Sequence, residues 1–125
     1  MTTEIIARAV IHRDHHLLVV RQRNATFFFL PGGHLEPGED PATALVRELA
    51  EELGTQATVS TYLGELPYEY DDVQELNHVF TATIDTPNPV SQEPHLEFHW
   101  LPLDDLAASD LRPPALKSLI AGVLS

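Results

Sequence analysis

Apolar residues come in short runs separated by turn-forming residues, with one longer stretch at helical spacing between them. Residues 4–11 are β-branched and apolar enough to form a strand, and His12-Arg13-Asp14 follows as a turn. Residues 15–22 contain Leu17-Leu18-Val19-Val20, a run that predicts a strand buried on both faces. Phe27-Phe28-Phe29-Leu30 predicts a short strand leading into Pro31-Gly32-Gly33, a tight, irregular turn. Beyond the helical stretch, strands are predicted over 57–63, continuing past Gly64 into 66–70, and over 78–84 and 96–101. Residues 86–89, with two prolines, form a loop; 104–108 form a short helical turn; Pro113 and Pro114 open a terminal helix. Strands with helices before and after them predict an α/β fold, a three-layer α/β/α sandwich over a mixed sheet. At 125 residues the chain is read as one domain, 1–125, without repeat or linker.

The helical stretch carries the strongest local signals. Asp40 can cap the first free N–H groups, and Pro41 suits the first turn. No glycine or proline interrupts the chain from Ala42 to Leu53, and Gly54 supplies a left-handed stop. Wound at helical pitch, Ala42, Val46, Leu49 and Leu53 form the stripe expected to be buried. Glu48, Glu51 and Glu52 are expected together on the other side, spaced so that their side chains are neighbours. They crowd the helix end at which the dipole disfavours negative charge, and Arg47 offsets only part of it. Alone, such a cluster reads as a solvated acidic face. The preceding Pro31-Gly32-Gly33 and Pro37-Gly38 loop changes that, because backbone carbonyls there can face the acids and complete a hard-cation site. Oxygen ligands without cysteine favour magnesium or manganese over zinc.

Gly33, five residues, Glu39, seven residues, then Arg47-Glu48-Leu49-Ala50-Glu51-Glu52-Leu53-Gly54 resembles the Nudix box of the Nudix (MutT-like) hydrolases. Eight of nine defined positions match; the last aliphatic is Thr55 here, a packing position. The resemblance implies metal-dependent hydrolysis of a nucleoside diphosphate linked to another group, by water attack at phosphorus. It further implies Glu51 and Glu52 as core metal ligands, the Gly33 carbonyl as a backbone ligand, and Glu48 as a residue that binds metal or orients the attacking water. Arg47 and Glu39 resemble an orienting pair. Many members recruit another carboxylate from outside the box as ligand or general base. Glu93 is favoured for that part, Glu97 comes second and Glu75 third. The catalytic set is therefore Glu48, Glu51, Glu52, Arg47 and Glu93, with magnesium or manganese as cofactor. The alternative is a Nudix-fold module that senses a nucleotide or binds a protein without cutting; such modules typically lose box glutamates, which this chain keeps.

Composition adds bounds. The net charge is −12, with one lysine and six arginines, and no basic stripe is present. Duplex nucleic acid is thus not an expected partner. The acidity also repels a phosphorylated substrate unless bound cations invert the local field. The absence of cysteine excludes disulfides and zinc–thiolate sites. Without a signal peptide or an apolar stretch of spanning length, the expectation is a soluble cytoplasmic protein with no membrane partner. A homodimer is compatible with the family, but no interface is legible.

Candidate substrate contacts are Arg21 and Arg23, which share a face at the end of a strand near the box loop, together with Tyr70 and Glu97. Tyr68 and Tyr70 are placed on a connection where a base can stack. Phe27 to Phe29 are read mainly as core. His34, within the box loop, is assigned no role.

Overall fold

The computed structural model describes residues 1–86 and 88–124. Its elements in chain order are β1 (Thr2–Val10), β2 (His12–Arg13), β3 (His16–Gln22), β4 (Gly32–His34), α1 (Pro41–Leu53), β5 (Ala57–Tyr70), β6 (Val73–Ile84), β7 (Leu96–Pro102) and α2 (Leu116–Leu124). A 3₁₀ turn over Leu103–Asp105 follows β7, where the helical turn was expected. Pro87, within the expected 86–89 loop, lies outside the described residues.

The strands form two sheets. One is mixed, in the order β4-β1-β6-β5, with β1 parallel to β6; the other is antiparallel, in the order β2-β3-β7. Leu17 to Val20 are buried on both faces as their unbroken apolar run requires. Leu18 joins a core with Ala7, Ala9, Ile11 and the α1 residues Leu45, Leu49 and Leu53. Leu17 and Val19 join a second core with Val10, Leu30, Leu111 and the α2 residues Leu116 and Ile120. Alternate side chains of the same strands thus meet a different helix on each side, which is the three-layer sandwich. No helix among the described residues is long and apolar enough to cross a membrane.

Several local expectations shift. The first hairpin turns at Asp14 and His15, both at positive φ, so His12 and Arg13 pair with β3 instead of forming the turn. Phe28 and Phe29 make isolated bridges to Leu111 and Val20 rather than a full strand. Gly32–His34, expected as an irregular turn, pairs antiparallel with β1. Only glycine permits this: a Cβ on Gly32, at φ 141°, would fall 1.9 Å from the Ala7 carbonyl oxygen. β5 runs continuously through Gly64, with register shifts there and near Tyr62, and β6 begins at Val73. Tyr68 and Tyr70 therefore stand on a strand, not on a connection.

Candidate active site

Helix α1 delivers the acidic residues, and its rotation decides what each one meets. The Asp40 side chain accepts from the Thr43 N–H at 2.9 Å, and Gly54 closes the helix at φ 60°. The buried stripe is Ala44, Leu45, Leu49 and Leu53; Val46 is 37% exposed, so the expected stripe was turned by one position. That rotation gives the three glutamates different surroundings. Glu48 follows Leu45 by three residues and Glu52 follows Leu49 by three, so both flank the buried stripe. Glu51 points outward, 53% exposed, and pairs with Arg47 at 3.3 Å. The three acids keep the arc that their spacing gives, but Glu48 and Glu52 line the cavity while Glu51 stands in solvent, and among the described residues no three acidic or histidine side chains are gathered as a ready metal cage.

Arg47 is the hub of a closed network. Its Nε and Nη2 donate to the two oxygens of Glu39 at 2.8 Å each, Nη2 also to the His34 carbonyl at 3.1 Å, and Nη1 to Glu48 at 3.0 Å. Glu39 in turn accepts from the Glu36 N–H, and its carboxyl is held down to about 2, chiefly by the Arg47 hydrogen bonds. This network ties the box loop to the helix.

Glu48 and Glu52 line a cavity of about 720 Å³, together with Gly32, Gly33, Arg8, Glu75, Tyr68, Tyr70, Phe27 and Phe29 among others. Gly33 lies so close to Glu48 that a Cβ there would be 2.5 Å from the carboxylate carbon. Glu52 Oε1 is buried with no hydrogen-bond partner. Burial, then the neighbouring Glu48 charge, push the Glu52 carboxyl up to about 8; Arg8 and the Gly32 N–H oppose the shift, and Glu93 adds to it. An acceptor orphaned in this way next to a second carboxylate suits a cation, so the donor set fits a hard divalent ion.

The other expected residues divide. Glu93 lies on the segment pinned over the end of α1 by the Gln92 N–H donating to the Glu52 carbonyl at 2.7 Å, and its charge reaches the Glu52 carboxyl. Arg21 and Arg23 are outside the cavity lining. Arg21 donates to Glu97 at 2.7 Å across the β3–β7 pair, and Arg23 donates to the Pro94 carbonyl at 3.0 Å. Glu97 is thus committed to arginine, which holds its carboxyl below the usual range. Tyr70 does line the cavity, its hydroxyl donating to Glu75 at 3.2 Å. Phe27 and Phe29, read mainly as core, also line it, while Phe28 packs against the α2-side core. Arg8 and Arg112, which sequence reasoning passed over, also line the cavity, as does His34, which was assigned no role. A lone arginine in the otherwise apolar run of β1 was the available signal for Arg8.

Residues 2–121 match the NUDIX domain family. The chain belongs to the Nudix family. It is 38% identical over 72 residues to the 8-oxo-dGTP diphosphatase of Proteus vulgaris, an alignment covering 54% of this chain and 64% of that protein. It is 42% identical over 64 residues to the CTP pyrophosphohydrolase of Escherichia coli, covering 48% of this chain and 47% of the relative. The match therefore spans about half to two thirds of these Nudix relatives. A MutT Nudix hydrolase from Burkholderia pseudomallei superposes with a TM-score of 0.78 at 25% identity, covering 98% of this chain and 99% of that one.

Proposed function

We propose that this Nudix chain is a metal-dependent pyrophosphohydrolase that cleaves a pyrophosphate bond in a nucleotide, using magnesium or manganese. The observation that carries the reading is the partnerless, buried Oε1 of Glu52 beside Glu48 at the cavity wall. Relatives named for hydrolysis of 8-oxo-dGTP and of CTP support the same class of substrate. Glu48 and Glu52, with the Gly33 carbonyl, would hold the metal, and Glu51 would join them on leaving Arg47. A bound divalent ion would neutralise phosphate oxygens and acidify a water.

The chain's own residues supply the rest. Arg47 and Glu39 hold the loop and helix in register, so that Glu48 stays against Gly33. Glu93, whose charge reaches Glu52, is the further carboxylate for accepting a proton. Arg8 sets a positive charge beside Glu52 and Glu48 in a chain of net charge −12. Phosphoryl transfer needs little beyond positioning and charge neutralisation, which this arrangement provides.

A panel of nucleoside triphosphates, dinucleoside polyphosphates, nucleotide sugars and ADP-ribose, assayed with magnesium, tests the reading. At least one is cleaved at a pyrophosphate bond, and Glu52→Gln lowers that turnover roughly 10²–10³-fold, as expected for loss of one preorganised electrostatic contact. No cleavage of any member with metal bound would move the reading to a nucleotide-sensing module.

A further inference from the structure

We propose that Arg8 and Glu75 read the base of the nucleotide, favouring bases with an exocyclic amino group beside an acceptor (cytosine, adenine, guanine) over uracil and thymine. The inference rests on the nucleotide reading above and deepens it.

β1 and β6 run parallel with Glu4 opposite Glu75 and Ile6 opposite Asn77, so these alternate positions share a face. Asn77 is fully buried and fixes the set: its Oδ1 accepts from Arg8 Nε at 3.3 Å, and its Nδ2 donates to the Leu66 carbonyl at 3.2 Å. Arg8 Nη1 donates to the Leu30 carbonyl at 3.1 Å, and the guanidinium lies 5.2 Å from the Phe29 ring centroid. Nε and Nη1 thus use two of the five guanidinium N–H donors, and Arg8 lines the cavity.

Among the described residues Glu75 receives long contacts, from the Tyr70 hydroxyl at 3.2 Å and from Asn77 Nδ2 at 3.4 Å. A carboxylate has about four acceptor sites, so Glu75 keeps accepting capacity toward the cavity. Glu4 and Asp71 line the same region and make it hostile to phosphate. A carboxylate there can only accept, so it suits an amino group and repels the carbonyl that uracil and thymine carry in its place. The arginine supplies the donor for the neighbouring ring nitrogen or carbonyl. Phe27, Phe29 and Tyr68 give the cavity aromatic surface for a planar ring.

Calorimetric titration of the wild type with CMP, AMP, GMP, UMP and TMP tests this without requiring turnover. The amino-bearing nucleotides bind about tenfold or more tightly than UMP and TMP, within the range of one good base-edge pair. Glu75→Gln, whose amide can donate to a carbonyl, brings the CMP-to-UMP ratio close to one. Tyr70→Phe, which frees Glu75 without removing it, retains a preference. Equal affinity of the wild type for all five, binding of none, or an unchanged ratio in Glu75→Gln would overturn the proposal. Base-selective binding without cleavage of any panel member overturns only the hydrolase reading, and cleavage without base preference overturns only this one.

Discussion

Glu39 and Glu52 flank the two ends of one helix, and their carboxyl groups shift in opposite directions. Glu39 meets two nitrogens of Arg47 and is held down to about 2; Glu52 is buried, with the Glu48 charge beside it, and is pushed up to about 8. The first is satisfied within the fold and holds the loop to the helix. The second is left with a buried oxygen that has no hydrogen-bond partner among the described residues. One motif thus divides its acids by how fully the fold satisfies them: Glu39 has both oxygens held by Arg47, Glu48 and Glu51 share what remains of that arginine, and Glu52 keeps one buried oxygen without a partner. Glu97, paired with Arg21, belongs with the frame by the same test.

The two adjacent glycines of β4 separate frame from site most sharply. In Gly32→Ala the new methyl would meet backbone at the Ala7 carbonyl, and φ 141° strains any side chain, so the β1–β4 pairing weakens. Thermal and urea melts should show a loss of about 1–3 kcal/mol or more. In Gly33→Ala the methyl meets only the flexible end of Glu48, so stability changes little while turnover falls as the carboxylate is displaced. Equal stability losses in the two variants would mean that Gly33 serves the frame instead of the site.

A smaller effect follows from pH. Glu39 contributes stability that is present above its ordinary value of 4.5 and lost as the pH falls through about 2. Glu52 does the reverse in metal-free protein. The unfolded chain releases that proton near 4.5 and the fold keeps it, so stability declines as the pH rises from there and levels off above about 8. Urea titrations across this range in EDTA should show both limbs. Glu39→Gln flattens the acid limb and Glu52→Gln the alkaline one; a Glu52→Gln curve parallel to wild type would contradict the buried carboxylate.

Much of this was legible in the chain. Asp40, Pro41 and Gly54 bound α1 by local chemistry alone, and the unbroken Leu17–Val20 run demanded cover on both faces. What stayed hidden depends on phase and partners. Spacing gave α1 its period, but whether Leu45 or Val46 faced the core was set by the sheet beneath it, and that choice also turned Glu48 and Glu52 inward and Glu51 outward. Pro31-Gly32-Gly33 reads as a turn because glycine is permissive; only the approach of β1 makes part of it a strand. Phe27 and Phe29 differ from Phe28 by alternation, which an isolated aromatic run cannot orient.

If Glu52 holds a divalent ion as proposed, its binding will register in the melting temperatures of wild type and Glu52→Gln measured with increasing magnesium. Binding to the folded state alone should stabilise the wild type by about 2.7 kcal/mol at a hundred times the dissociation constant, with a much smaller shift in Glu52→Gln. No shift of the wild type at millimolar magnesium, or the same shift in both proteins, would contradict the account.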